Sequence, residues 1–152
     1  MMIKRKGNKT DHTIMMENAV YDYFKSYLRI NLKPEVPVSS GIADFVGHTE
    51  DKRDYVVIEI KQSAADFYSG CGLNFVGSSN YIAVPSELVG FTIVFLRDNN
   101  YSNIGVLEIT DAGTVRIVAY PHIQRENDFL NRYQFGPAAF FFTPPQLRIL
   151  ET

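Results

Sequence analysis

Two rhythms of apolar residues run along this chain. From Thr13 to about Ile30, the residues Ile14, Val20, Tyr21, Phe24, Tyr27 and Leu28 recur at spacings near three and four, which predicts an amphipathic helix. Asp11 or Thr13 is positioned to cap it, and Pro34 lies just past its end. Glu17 precedes Tyr21 by one turn on the same side, which turns it inward. The rhythm then changes. Pro34 to Gly47 reads as an extended segment, His48 to Asp54 as a polar hairpin loop, and Tyr55 to Gln62 as a strand buried on both faces. A short helix follows, with Ser63 as cap and Asp66 at its third position. Gly70, Gly72 and Gly77 interrupt the pattern before the short strand Tyr81 to Val84, which Pro85 stops. Ser86 to Leu96 fits a helix capped by Ser86, while the composition of Phe91-Thr-Ile-Val-Phe-Leu96 also fits a strand, the helix being preferred. Ile104 to Ile109 and Thr114 to Tyr120 fit two strands joined at Asp111-Ala-Gly113, and Gln124 to Tyr133 fits a late helix. This order predicts an α/β (α+β) fold in one domain, a mixed sheet flanked by helices.

Two of these strands carry charge inside apolar runs: Asp44 in Gly41-Ile-Ala-Asp-Phe-Val-Gly47, and Glu59 with Lys61 in Tyr55-Val-Val-Ile-Glu-Ile-Lys61. Glu59 and Lys61 are two apart, so strand alternation gives them one face. Charge buried in a strand is costly unless it is paired or bound to a metal. Two carboxylates with an ammonium beside them suit a divalent cation. Magnesium takes oxygen ligands and keeps several waters, so Asp44, Glu59 and the carbonyl of Ile60 form a sufficient set, with Glu17 able to complete it from the helix. Lys61 would orient or help deprotonate a water, or stabilise developing charge. Such a centre supplies what phosphodiester hydrolysis requires.

Composition adds limits. The chain has 152 residues with a formal net charge of −2, so bulk charge does not select a polyanionic partner. Lys4, Arg5, Lys6 and Lys9 form a local basic cluster within a polar, loose stretch at residues 1–11, either a solubilising tail or an arm that tracks phosphates. The single cysteine, Cys71, allows no internal disulfide and no cysteine-rich zinc site, which fits a cytoplasmic protein. His12, His48 and His122 form no ligand motif. No apolar run is long enough for a membrane span. The glycine-rich stretch around Gly70-Cys-Gly-Leu-Asn-Phe75 is not a phosphate loop; it reads as a flexible loop or as a lip beside the metal.

Asp44 and Glu59 are separated by 59 − 44 = 15 residues, with Lys61 completing Glu-x-Lys after an N-terminal helix. This pattern resembles the PD-(D/E)xK nuclease superfamily. The wider string Ile42-Ala-Asp-Phe-Val46, Glu59-Ile-Lys-Gln-Ser-Ala-Ala-Asp-Phe67 and Tyr81-Ile-Ala-Val-Pro85 is similar to its MmcB-like DNA-repair branch, over roughly residues 14 to 120. The resemblance implies a restriction-endonuclease-like core and a DNA-cleaving activity dependent on magnesium or manganese. By the same resemblance Asp44 and Glu59 bind the metal, Lys61 is catalytic, Glu17 matches a helix glutamate found in some members, and Gln62 is an auxiliary residue. Ala43 stands where the proline of the superfamily's name would be. Many such nucleases pair to cut both strands, and the apolar tail around Phe140 is a candidate homodimer surface. The competing reading is an inactive nuclease-fold module for interaction or nucleic-acid binding. A weaker one is a small-molecule domain using Phe140 to Phe142.

Overall fold

Helix α1 spans Asp11–Tyr27 and is capped by Thr10, one residue before Asp11 and three before Thr13, the two expected caps. The Thr10 hydroxyl accepts the Thr13 N–H at 3.1 Å, and Asp11 then suits the positive end of the helix dipole. Arg29, at φ +57°, turns the chain out of the helix, and the Ile30 N–H returns to the Phe24 carbonyl at 3.0 Å. The structure, a computed structural model, describes residues 9–38, 40–50, 54–68 and 73–124. The late helix expected at Gln124 to Tyr133, the aromatic tail and Cys71 therefore lie almost wholly outside the described residues, Gln124 alone falling inside them.

Six strands form one sheet in sequence order: β1 (Lys33–Val38), β2 (Gly41–His48), β3 (Tyr55–Ile60), β4 (Ser79–Pro85), β5 (Ile104–Ile109) and β6 (Val115–Ala119). The extended segment expected from Pro34 to Gly47 is in fact a hairpin, β1 pairing antiparallel with β2. β2 and β3 are also antiparallel, β3–β4 and β4–β5 are parallel, and β6 returns antiparallel. A 3-10 helix at Ala64–Tyr68 and helix α2 (Val89–Asp98) occupy the two parallel crossovers. The fold class expected from the sequence, a mixed sheet flanked by helices, is the one observed.

α1 covers one face. Its Met16, Val20, Tyr21 and Phe24 pack on Phe45, Val56, Ile58, Tyr81, Ala83 and Leu107. On the other face, Phe95 and Leu96 of α2 join Phe67 over Ile82, Val84 and Val106. Ser86 caps no helix; it opens a 3-10 turn before α2, and its hydroxyl hydrogen-bonds Glu108. The short helix after β3 begins as expected. Asp66 Oδ2 accepts the N–H groups of Gln62 (2.9 Å) and Ser63 (3.1 Å), so the aspartate serves where a capping box would use glutamate.

Gly77 fixes the loop that leads into β4. Its N–H and carbonyl are both bound by the buried Asn80 side chain, at 2.9 and 3.0 Å. A Cβ there would lie 2.9 Å from the Tyr55 carbonyl oxygen and 2.9 Å from Val57 Cγ2. Gly77→Ala is accordingly expected to lower stability by about 2 kcal/mol in a urea titration, since a backbone oxygen cannot yield as a flexible side chain can.

Candidate functional site

The β2–β3 ladder runs from His48↔Tyr55 to Phe45↔Ile58 and ends there. One step further, Asp44 and Glu59 would face each other, and their carboxylates replace the missing backbone bonds. Asp44 Oδ2 accepts the Ile60 N–H at 2.7 Å, and Glu59 Oε1 accepts the Asp44 N–H at 3.4 Å. The sheet thus splits at the carboxyl end of β3, the end where open α/β sheets receive ligands.

Local irregularity turns Asp44 into this split. Along β2, Ala43 and Val46 pack in one cluster while Phe45 packs in another, so strict alternation fails at Asp44. The β1–β2 register passes from Pro34↔Phe45 to Val36↔Ala43, which places Glu35 opposite Asp44, and Glu35 itself has φ +53°. β3 alternates regularly: Val56 and Ile58 face α1, Tyr55 and Val57 face away. Glu59 therefore projects from the face opposite α1, and its side chain is fully buried.

Asn74, which the sequence did not single out, holds Glu59 there. Its Nδ2 donates to Glu59 Oε2 at 2.9 Å and its N–H at 3.3 Å; the same Nδ2 lies 3.2 Å from the Ile42 carbonyl. The Ser40 hydroxyl binds Asn74 Oδ1 in turn. Asn74, in the stretch read either as a flexible loop or as a lip, thus clamps the Glu59 carboxylate to β2.

Burial raises the Asp44 carboxyl above its ordinary range, against the Ile60 N–H and the charge of Lys61, which lower it. Glu59 is pushed up to about 8, first by burial and then by the charge of Asp44, with Asn74 and Lys61 opposing. Two carboxyls this close in a dry site resist double ionisation unless a cation joins them. Lys61 is buried, and its charge acts on both. Its backbone N–H donates to the Ala83 carbonyl at 3.0 Å. Because the peptide is trans, the Ile60 carbonyl points away from β4, toward the Asp44 side.

Asp44 and Glu59 are thus brought together across the split, with the charge of Lys61 acting on both. Glu17 is buried as expected, but on the α1 side of the sheet, where its Oε2 pairs with Lys9 at 2.6 Å. Lys9 also reaches Glu35 at 3.0 Å. The reading of residues 1–11 as loose fails at Lys9, Thr10 and Asp11; residues 1–8 lie outside the described part. Gln62 is tied to α1 through Thr13 Oγ1 (2.5 Å) and His12 Nδ1 (2.9 Å), so it fixes the strand end against the helix start.

Among the described residues, no group of three or more His, Cys, Asp or Glu is gathered closely enough to hold a metal. The sheet lies between Glu17 and Glu59, which accounts for this. The carboxylate pair with the Ile60 carbonyl still fits magnesium, which keeps several waters. A cleft of about 560 Å³ between α1 and the β5–β6 turn, lined by residues such as Asp22, Tyr23, Ser26 and Gly113, includes none of these groups. No helix among the described residues is long and apolar enough to cross a membrane.

No protein-family model matches the chain, and no curated protein does. Among solved structures, the SPO1766 protein of unknown function from Silicibacter pomeroyi is similar, with a TM-score of 0.59 at 20% identity over 90% of this chain and 88% of that one. That likeness shows a shared fold. The structure of Pyrococcus furiosus SfsA in complex with Ca2+ matches with a TM-score of 0.43 and 12% identity, over 80% of this chain and 75% of that one.

Proposed function

We propose that this chain is a nuclease of the PD-(D/E)xK kind that hydrolyses DNA phosphodiester bonds with magnesium or manganese. The observation that carries the reading is the buried carboxylate of Glu59 beside the half-buried one of Asp44 at the split of β2 and β3, held in place by Ile60 and Asn74 within the field of Lys61. Asp44, Glu59 and the Ile60 carbonyl would hold the cation, which would polarise a phosphate and acidify a water. Lys61 would orient that water and offset charge developing on the phosphate. Glu59 and Asp44 would bind the cation in exchange for the proton they share without it.

The test is cleavage of labelled single-stranded, double-stranded and flapped DNAs with magnesium or manganese, wild type beside Asp44→Ala. Cleavage by wild type that falls to background in Asp44→Ala is the expected result. Equal cleavage by both proteins would show that the activity lies elsewhere. An absence of cleavage by wild type on every substrate would favour the inactive nuclease-fold module.

A further inference from the structure

Two carboxylates from two elements converge on one ammonium. Glu17 of α1 and Glu35 of β1 bind Lys9 Nζ directly, at 2.6 and 3.0 Å. The positive charge of Lys9 also acts on Asp44 of β2, the residue that faces Glu35 in the hairpin register. An ordinary ion pair would leave the carboxylate satisfied. Here Glu17 Oε1 is buried with no hydrogen-bond partner, in a side chain that is 8% exposed. A buried oxygen without a partner is costly, and one beside a cation seat is open to a second positive ligand.

We propose that Lys9 is a tethered counter-cation that neutralises the acidic cluster on the α1 side of Asp44 and withdraws when a divalent cation binds Asp44 and Glu59. This inference rests on the metal reading of the site. The charges of Lys61 and Lys9 both act on Asp44, and a dication on Asp44 adds repulsion to both. Lys61 is buried near the end of β3, whereas Lys9 lies just before the helix cap at Thr10 and can swing out while α1 stays capped. The N-terminal segment would thereby set the cation concentration at which the site fills.

The test is calorimetric titration of the full chain with manganese chloride, wild type beside Lys9→Met. Removing the competing charge is expected to tighten manganese binding about tenfold, or about 1.4 kcal/mol. Equal or weaker binding by a folded Lys9→Met would overturn the inference and leave the metal reading standing. No binding by either protein would remove both. Because Lys9→Met strands a buried glutamate, a wild-type measurement stands beside it. Tryptic cleavage after Lys9, followed by mass spectrometry, is expected to accelerate several-fold when manganese is added. Slower or unchanged cleavage there, with manganese bound, would overturn the inference.

Discussion

Lys61→Ala is expected to reduce metal-dependent DNA cleavage about 1,000-fold, within the range typical of a lost proton-transfer or charge-stabilising group. Divalent-cation binding is expected to survive in that variant, and to tighten. The argument follows from charge. Lys61 is buried and acts on both Asp44 and Glu59, so its removal leaves a more negative pair for the cation while depriving the water and phosphate of the adjacent ammonium. Cleavage kinetics beside a manganese titration of the same variant separate the two effects. Loss of cleavage and of binding together would make Lys61 a structural partner of the carboxylates instead.

Glu59→Gln is expected to change the pH dependence of stability. The folded-state pKa of Glu59 is raised to about 8 from an ordinary 4.5. A raised carboxyl contributes stability that is full below pH 4.5 and is lost as pH climbs through 8, because the folded state holds a proton that the unfolded state releases. Metal-free wild type should therefore lose stability across that window, by ~3 kcal/mol in a chain where Asp44 shares the effect. Glu59→Gln keeps an amide oxygen for Asn74 and carries no charge, so its stability should fall less steeply over the same range, Asp44 alone remaining raised by burial, and should exceed that of wild type at pH 8. Saturating manganese should flatten the wild-type slope, since the cation replaces the proton. Urea titrations at pH 5, 6.5 and 8 check this. Parallel curves for the two proteins would place Glu59 in a wetter site than the one described.

Much of this arrangement was legible in the sequence because charge inside an apolar strand is rare and strand alternation is simple. Asp44, Glu59 and Lys61 stood out on those grounds, and the structure gathers them. Helix α2 followed from the spacing of Leu88, Phe91, Phe95 and Leu96. What escaped was set by contacts distant along the chain. Asn74 lies in a loop with no periodicity, and only the fold reveals that its amide reaches Glu59, 15 residues away. Lys9 resembled the rest of a basic tail until Glu17 and Glu35 closed around it. Glu35 was hidden because the turn at Ser40, just before β2, lies within a run that reads as one extended segment. Once that hairpin is recognised, the register alone sets Glu35 opposite Asp44.

The central claim is that Asp44 and Glu59 hold a divalent cation, and the most direct measurement is a calorimetric manganese titration of wild type and Asp44→Ala at pH 7.5. One saturable site in wild type that disappears in a folded Asp44→Ala is the predicted result. No heat of binding in wild type, or the same isotherm in both proteins, would contradict it.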